Sequence, residues 1–254
     1  MVAGALAGRA VLVTGGSSGI GKAIAMAVAR AGADVAITYR ANAAGAEEVQ
    51  RAIGALGRRT SAIHLDLASA ASLDGLARAA RDALGRVDVW INNAGADILT
   101  GAAASLSRLE KLDRLIAVDL RGTMIASWNA AELLAAQDRG GVIINMSWDH
   151  VLTGMAGPNP ELYSAVKGGI LAFSKSLARS VAPRVRVNIL APGFIETSFG
   201  EAAGERWRRA VVDATPLQRW GTPDDVAGAA VFLASPAAAF LTGQTICVGG
   251  GVVM

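Results

Sequence analysis

Short apolar runs that alternate with longer stretches of helical spacing constrain this chain more than any other feature. Residues 10–14 (AVLVT) form a continuous apolar run, the pattern of a strand buried on both faces. A glycine-rich turn follows, and then Ile20, Ile24, Ala27, Val28 and Ala31 recur at helical spacing until Gly32. The alternation continues, with strands expected over 34–38, 61–65, 87–91, 142–146, 185–190 and 245–248, and helices over 43–56, 69–84, 106–136, 162–181 and 224–233. Gly122 is expected to weaken the long helical region, since glycine costs ~1 kcal/mol against alanine. Strands and helices in this order imply an α/β fold: a single-domain, doubly wound, Rossmann-like parallel sheet of about seven strands with helices on both faces. Nothing in the 254 residues reads as a linker, so one domain over 1–254 is expected. The stretches 148–160 and 194–216 are the least periodic, and long irregular connections in a compact domain are often functional. The second, with Arg206, Trp207, Arg208 and Arg209, reads as a solvated helix or a small lid.

Composition removes several function classes. Hydrophobic residues make up 52% and charged residues 18%, which excludes a disordered chain. The net charge of +3 comes from scattered basic residues rather than a stripe, so no nucleic-acid partner is expected. Residues 226–254 carry no charge but contain Pro236, Gly243, Gln244 and Gly249–Gly251, which suits a buried helix, a turn and a strand better than a membrane span. The N-terminus has no basic-then-apolar targeting pattern, and a cytoplasmic protein is the expectation. The single cysteine, Cys247, excludes an intrachain disulfide and is read as a small buried hydrophobe. No metal-ligand spacing is present, so no catalytic metal is expected, and His64 reads as a satisfied core or surface histidine.

Two motifs carry chemistry. Thr14-Gly15-Gly16-Ser17-Ser18-Gly19-Ile20-Gly21 lies between the first strand and the first helix. Glycines there allow a sharp turn and close approach of a pyrophosphate, and the helix N-terminus supplies free N–H groups and partial positive charge. The glycines fall at 15, 19 and 21 (TGxxxGxG), not in the GxGxxG spacing. The second motif is Tyr163-Ser164-Ala165-Val166-Lys167, whose four-residue interval puts phenol and ammonium on one helix face. An ammonium one turn away favours the phenolate and is expected to lower the tyrosine pKa, making Tyr163 a general acid or base. An ordinary exposed i,i+4 pair would have the same spacing.

Taken together these pieces resemble the short-chain dehydrogenases/reductases over essentially the whole chain, and look most like their 3-oxoacyl-carrier-protein reductase branch. Asn92-Asn93-Ala94-Gly95 resembles the family's NNAG element, Asp66 with Leu67 its adenine-contacting turn, and Pro192-Gly193 with Ile195 and Thr197 its nicotinamide-amide loop. The resemblance implies that a ketone or aldehyde and an alcohol are interconverted by hydride transfer. Tyr163 would be the acid/base, Lys167 its activator and ribose ligand, and Asp119 a relay residue where relatives carry asparagine. Cofactor contacts would come from Gly15, Ser17, Ser18, Gly19, Ile20, Gly21, Asn93, Ala94, Gly95, Tyr163, Lys167 and the loops just named. The second strand ends in Thr38-Tyr39-Arg40 with no carboxylate to pair with a ribose 2′-OH, and a guanidinium can clamp a 2′-phosphate, so NADP(H) is favoured, with NAD(H) the alternative. A homotetramer or homodimer is also implied.

The chain departs from the family at Asn145-Met146-Ser147-Trp148, where relatives carry Asn-x-Ser-Ser with a catalytic second serine. Counting from the strand puts Trp148 at that position, whereas counting back from the tyrosine puts His150 there. Ser147, Asp149 or His150 could supply the missing hydrogen bond to the substrate carbonyl. Val248-Gly249-Gly250 also departs from the Val-Asp-Gly-Gly of relatives. The altered serine position leaves open a catalytically weak or inactive dinucleotide-binding sensor or scaffold, and a lyase or epimerase on the same scaffold is a third reading.

Overall fold

The computed structural model describes residues 4–157, 159–197, 200 and 204–254. Seven parallel strands form one sheet in the order β3-β2-β1-β4-β5-β6-β7. They are β1 (Ala10–Val13), β2 (Asp34–Tyr39), β3 (Thr60–His64), β4 (Val89–Asn92), β5 (Gly141–Met146), β6 (Val185–Pro192) and β7 (Thr245–Val248). The helices are α1 (Gly19–Arg30), α2 (Ala43–Ala55), α3 (Ala70–Leu84), α4 (Arg108–Leu115), α5 (Thr123–Ala135), α6 (Pro160–Val181), α7 (Glu205–Ala214) and α8 (Pro223–Ala234).

Strand side chains alternate between two cores, as a period of two requires. Val11 and Val13 pack with Ile24 and Val28 of α1, Val49 of α2 and Val226 of α8. Ala10 and Leu12 face the other way, with Leu73 and Leu76 of α3, Ala126 of α5 and Leu177 of α6. Both faces of β1 are therefore dry, which is why it reads as an unbroken apolar run. Burying each such side chain contributes ~1.5–3 kcal/mol.

Strand order reverses between β1 and β4, and at that switch point an α/β sheet opens a crevice at the carboxyl ends of its strands. The turn after β1 and the turn after β4 lie together there: Thr14 Oγ1 accepts from the N–H groups of Asn93 (2.9 Å) and Ala94 (3.0 Å).

The long helical region differs from expectation. It forms as α4, a π-helical turn over Ile116–Gly122, and α5. Gly122 marks the break because the chain packs tightly there: a Cβ at that position would lie 2.7 Å from the Leu67 carbonyl oxygen. Such π turns often mark functional sites, and this one carries Asp119. Cys247 is a second correction. It is exposed, not buried, because β7 is the edge strand and none of its side chains is fully buried. His64 is exposed and meets the Tyr39 ring edge-on at 5.7 Å. No described helix is long and apolar enough to cross a membrane.

Candidate active site

The glycine-rich turn is built by contacts that leave no room for side chains. Gly15 has φ +66°, and a Cβ there would lie 2.9 Å from Ala94 Cα. At Gly21 a Cβ would lie 2.1 Å from the Gly15 carbonyl oxygen. Asn93 Nδ2 clamps the turn by donating to the carbonyls of Thr14 (3.0 Å) and Gly15 (3.3 Å), and Thr38 Oγ1 accepts from Gly15 N–H at 3.1 Å. The Ser18 cap of α1 makes no side-chain hydrogen bond to the helix N-terminus. Helix α1 thus presents its N-terminal N–H groups and positive dipole end to the crevice, beside a cradle that only glycines can line. Both features fit a dinucleotide pyrophosphate. Gly19 lies open beneath Thr197, whose Cγ2 would stand 3.6 Å from a Cβ there, so the loop after β6 reaches over the turn.

The other expected cofactor residues divide into two groups. Gly95 lies against Asp119, with 2.7 Å between Asp119 Oδ1 and a Cβ placed on Gly95. Pro192 ends β6, Gly193 N–H donates to Val248 O at 3.1 Å, and Ile195 bridges to Gly221. Asp66 belongs to the loop after β3. It lies two residues beyond β3, and its Oδ1 accepts from Ala68 N–H at 2.9 Å, while Leu67 is buried. Arg40 is exposed just past β2, and Ser17 and Ser18 lie in the turn itself.

On the other side of the crevice stand Tyr163 and Lys167, one turn apart on α6. Lys167 is 4% exposed; its Nζ lies 2.8 Å from Asp119 Oδ1 and 5.4 Å from the centre of the Tyr163 ring. Asp119, 1% exposed, accepts from Ala96 N–H at 2.7 Å through Oδ2. Burial opposes the Lys167 charge, but the Asp119 carboxylate and then Tyr163 more than offset it, and Lys167 is held above the ordinary lysine value. The expected lowering of the tyrosine is corrected here. Burial pushes the phenol up, Lys167 pulls it down, Asp119 pushes it up again, and the balance lies above the ordinary tyrosine value. Burial is the largest of these influences, and Asp119 adds to it against the pull of the ammonium.

The hydroxyl of Ser147 is committed: it is buried and donates to the Lys167 carbonyl at 2.8 Å, tying the end of β5 to α6. Trp148 meets Tyr163 edge-on with ring centres 5.3 Å apart, and His150 stacks on Trp148 at 4.9 Å. Phe194 continues this aromatic wall, 5.4 Å from His150 and 5.7 Å from Trp207 of α7.

A family profile described as Enoyl-(Acyl carrier protein) reductase matches residues 15–253. The chain is 38% identical over 253 residues to a 3-oxoacyl-[acyl-carrier-protein] reductase of Synechocystis sp., covering 98% of this chain and 99% of that one. It is 35% identical over 252 residues to 3beta-hydroxysteroid dehydrogenase 1 of Eggerthella lenta, covering 98% and 95%. A short chain dehydrogenase from Burkholderia cenocepacia J2315 in complex with NADP superposes with a TM-score of 0.88 at 34% identity, covering 97% of this chain and 98% of that one. The chain belongs to the short-chain dehydrogenase/reductase family. It is therefore an NAD(P)-dependent oxidoreductase.

Several residues that build this short-chain dehydrogenase/reductase site escape sequence reasoning. Thr14 and Thr38 hold the glycine turn, and a threonine directly before the first glycine is the available signal. Beneath the site a buried polar network joins the central strands to the helices. Asn92 Nδ2 donates to Ser127 Oγ (3.0 Å) and Asn145 Oδ1 (2.8 Å), and Asn145 Nδ2 donates to Ser174 Oγ (2.9 Å). Such fully satisfied networks rigidify a unique arrangement. Among the described residues no group of three or more His, Cys, Asp or Glu could hold a metal ion.

Proposed function

We propose that this oxidoreductase interconverts a ketone or aldehyde and an alcohol with NADP(H), using Tyr163 as acid/base. The observation that supports it best is the chain Asp119–Lys167–Tyr163 across the crevice from the glycine turn, with Nζ 2.8 Å from Asp119 and 5.4 Å from the phenol ring. Bound NADPH supplies the hydride. Tyr163 hydrogen-bonds the substrate oxygen and gives it a proton as the carbonyl is reduced. Lys167, kept cationic by Asp119, binds ribose hydroxyls and steadies the phenolate left behind. The turn 15–21 and Asn93–Gly95 hold the pyrophosphate side, while Pro192, Gly193, Ile195 and Thr197 hold the nicotinamide side. Asp66 and Leu67 flank the adenine. The described parts of the segment 194–216, of which 198–199 and 201–203 lie outside the described residues, act as a lid, and the aromatic wall from Trp148 to Trp207 suits an apolar carbonyl compound.

Arg40 supports NADP(H) over NAD(H). It is exposed where β2 ends in Tyr39 rather than a carboxylate, free to meet a 2′-phosphate. A metagenomic blue fluorescent protein in complex with NADPH superposes with a TM-score of 0.87 at 34% identity. Arg40→Ala is expected to raise KM for NADPH roughly tenfold or more, the worth of a charge-assisted hydrogen bond, and to leave KM for NADH unchanged. Steady-state kinetics with both cofactors checks this. The apolar side chains exposed on α4, the π turn and α5 (Leu109, Ile116 and Trp128) suit a homodimer or homotetramer.

The deciding experiment follows NADPH absorbance with ethyl acetoacetate, acetophenone, cyclohexanone and benzaldehyde. Turnover that disappears in Tyr163→Phe supports the reading. NADPH binding with no turnover of any of the four favours a sensor.

A further inference from the structure

The loop after β5 places a buried charge where the mechanism above uses none. Asp149 is fully buried and His150 is 7% exposed. Asp149 Oδ1 accepts from His150 N–H at 2.7 Å and lies 2.6 Å from His150 Nδ1. A carboxylate only accepts, so Nδ1 carries a proton and Nε2 is the ring nitrogen turned away from Asp149. Among the described residues the His150 side chain bonds to nothing but Asp149.

The second carboxylate oxygen, Oδ2, is buried without a hydrogen-bond partner. It is wedged between two backbones: a Cβ on Gly249 would lie 2.1 Å from it, and a Cβ on Gly193 would lie 2.6 Å from it. Glycine at both positions is what admits the carboxylate. Leaving such an oxygen unpaired in the interior is costly, which a purely structural role does not explain. The imidazole, in turn, is one ring away from Tyr163. Trp148 stacks on His150 at 4.9 Å and meets Tyr163 edge-on at 5.3 Å. Ser147, the nearest hydroxyl in the loop, is used up on the Lys167 carbonyl.

We propose that Asp149 and His150 form a second catalytic element, in which His150 Nε2 donates a hydrogen bond to the substrate oxygen beside Tyr163 and Asp149 positions the ring. This rests on the carbonyl-reductase reading. In the reduction a hydride forms the new C–H bond, the C=O π pair moves onto oxygen, and that oxygen takes the Tyr163 proton. To donate through Nε2 as well as Nδ1 the ring must hold a proton on each nitrogen, with the Asp149 carboxylate as counter-charge; it then stabilises the charge as it develops and leaves the step unchanged. The titratable group that feels the dyad's charge is Cys247 on β7, whose thiol is pushed up by burial and by the Asp149 carboxylate; Tyr163 lies beyond Trp148, which stacks on His150.

The test uses whichever of the four carbonyl compounds the wild type reduces fastest. His150→Phe keeps an aromatic ring on Trp148 and removes Nε2. It is expected to lower kcat by roughly 10²–10³, the worth of one oxyanion donor, with NADPH affinity by fluorescence within about threefold. His150→Gln restores an N–H near the Nε2 position and is expected to recover kcat to within about tenfold of wild type. Asp149→Asn is expected to lower kcat at least tenfold with KM little changed. If His150→Phe keeps wild-type kcat while Tyr163→Phe is inactive, the dyad is overturned and the reductase reading stands. Should His150→Phe fail to fold, wild-type kcat in Asp149→Asn overturns the proposal equally. If none of the four compounds is reduced, the reductase reading fails by itself, and benzoate added to the NADP⁺-loaded protein tests the dyad. A shift of the His150 ring-nitrogen NMR signal, readable because the chain has 2 histidines, then supports it, and an unmoved signal overturns it.

Discussion

Replacing Tyr163 with phenylalanine is expected to lower kcat for carbonyl reduction by roughly 10²–10⁴, the usual range for a positioned general acid, while NADPH binding stays within about threefold of wild type. The substitution removes one oxygen and leaves the ring, which packs against Trp148 and the cluster of Ile98, Leu115, Leu162 and Val166. Little stability is therefore lost, and a fall in rate reports on chemistry. The pH dependence follows from the direction of the shift. Because burial and Asp119 hold the phenol above its ordinary value, the acid form needed for reduction persists through the neutral range. The reverse oxidation needs the phenolate and should climb as pH rises. Rates for both directions, measured across pH in wild type and variant, check this. A Tyr163→Phe variant that reduces at wild-type rate removes the tyrosine from the mechanism.

The parts of the site that are legible in the sequence depend on local spacing. The interval from Tyr163 to Lys167 sets both side chains on one face, and the glycines after β1 sit at a strand-to-helix turn whose geometry admits nothing larger. The two dry faces of the sheet likewise show in the unbroken apolar run of β1. What is not legible depends on residues far apart in sequence. The upward shift of Tyr163 comes first from burial and then from Asp119, which reaches Lys167 across 48 positions (167 − 119) through a π turn with no periodic signature. Cys247 reads as buried because an edge strand and a central one look alike in sequence. The loop after β5 shows the same limit: counting along the chain gives two candidates for the missing serine, and only the wedge between Gly193 and Gly249 shows why Asp149 turns inward.

The ion pair beneath the tyrosine yields the largest expected loss of stability. Lys167→Met leaves Asp119 buried at 1% exposure with only the Ala96 N–H beside it. Removing one partner of a buried pair typically costs ~3–5 kcal/mol, which in a domain of this size lowers Tm by about 6–20 °C. The native pair's contribution has a definite pH window. Lys167 is raised in the folded state, so the stabilisation is complete below the ordinary lysine value and lost only as pH rises through the higher folded one. Neutral pH therefore shows the full loss. Asp119→Asn in the same background removes the stranded charge and keeps an acceptor for Ala96, so Lys167→Met/Asp119→Asn is expected to regain most of the lost Tm. Activity should not return with it, because no ammonium remains to steady the Tyr163 phenolate or to bind ribose. Thermal melts and kcat on wild type, both single variants and the double variant form a cycle that separates the two roles. Recovery of Tm without recovery of kcat assigns the lysine to chemistry and the carboxylate to holding it charged. If the double variant is no more stable than Lys167→Met, Asp119 is not held in place by that charge, and the relay drawn through it fails.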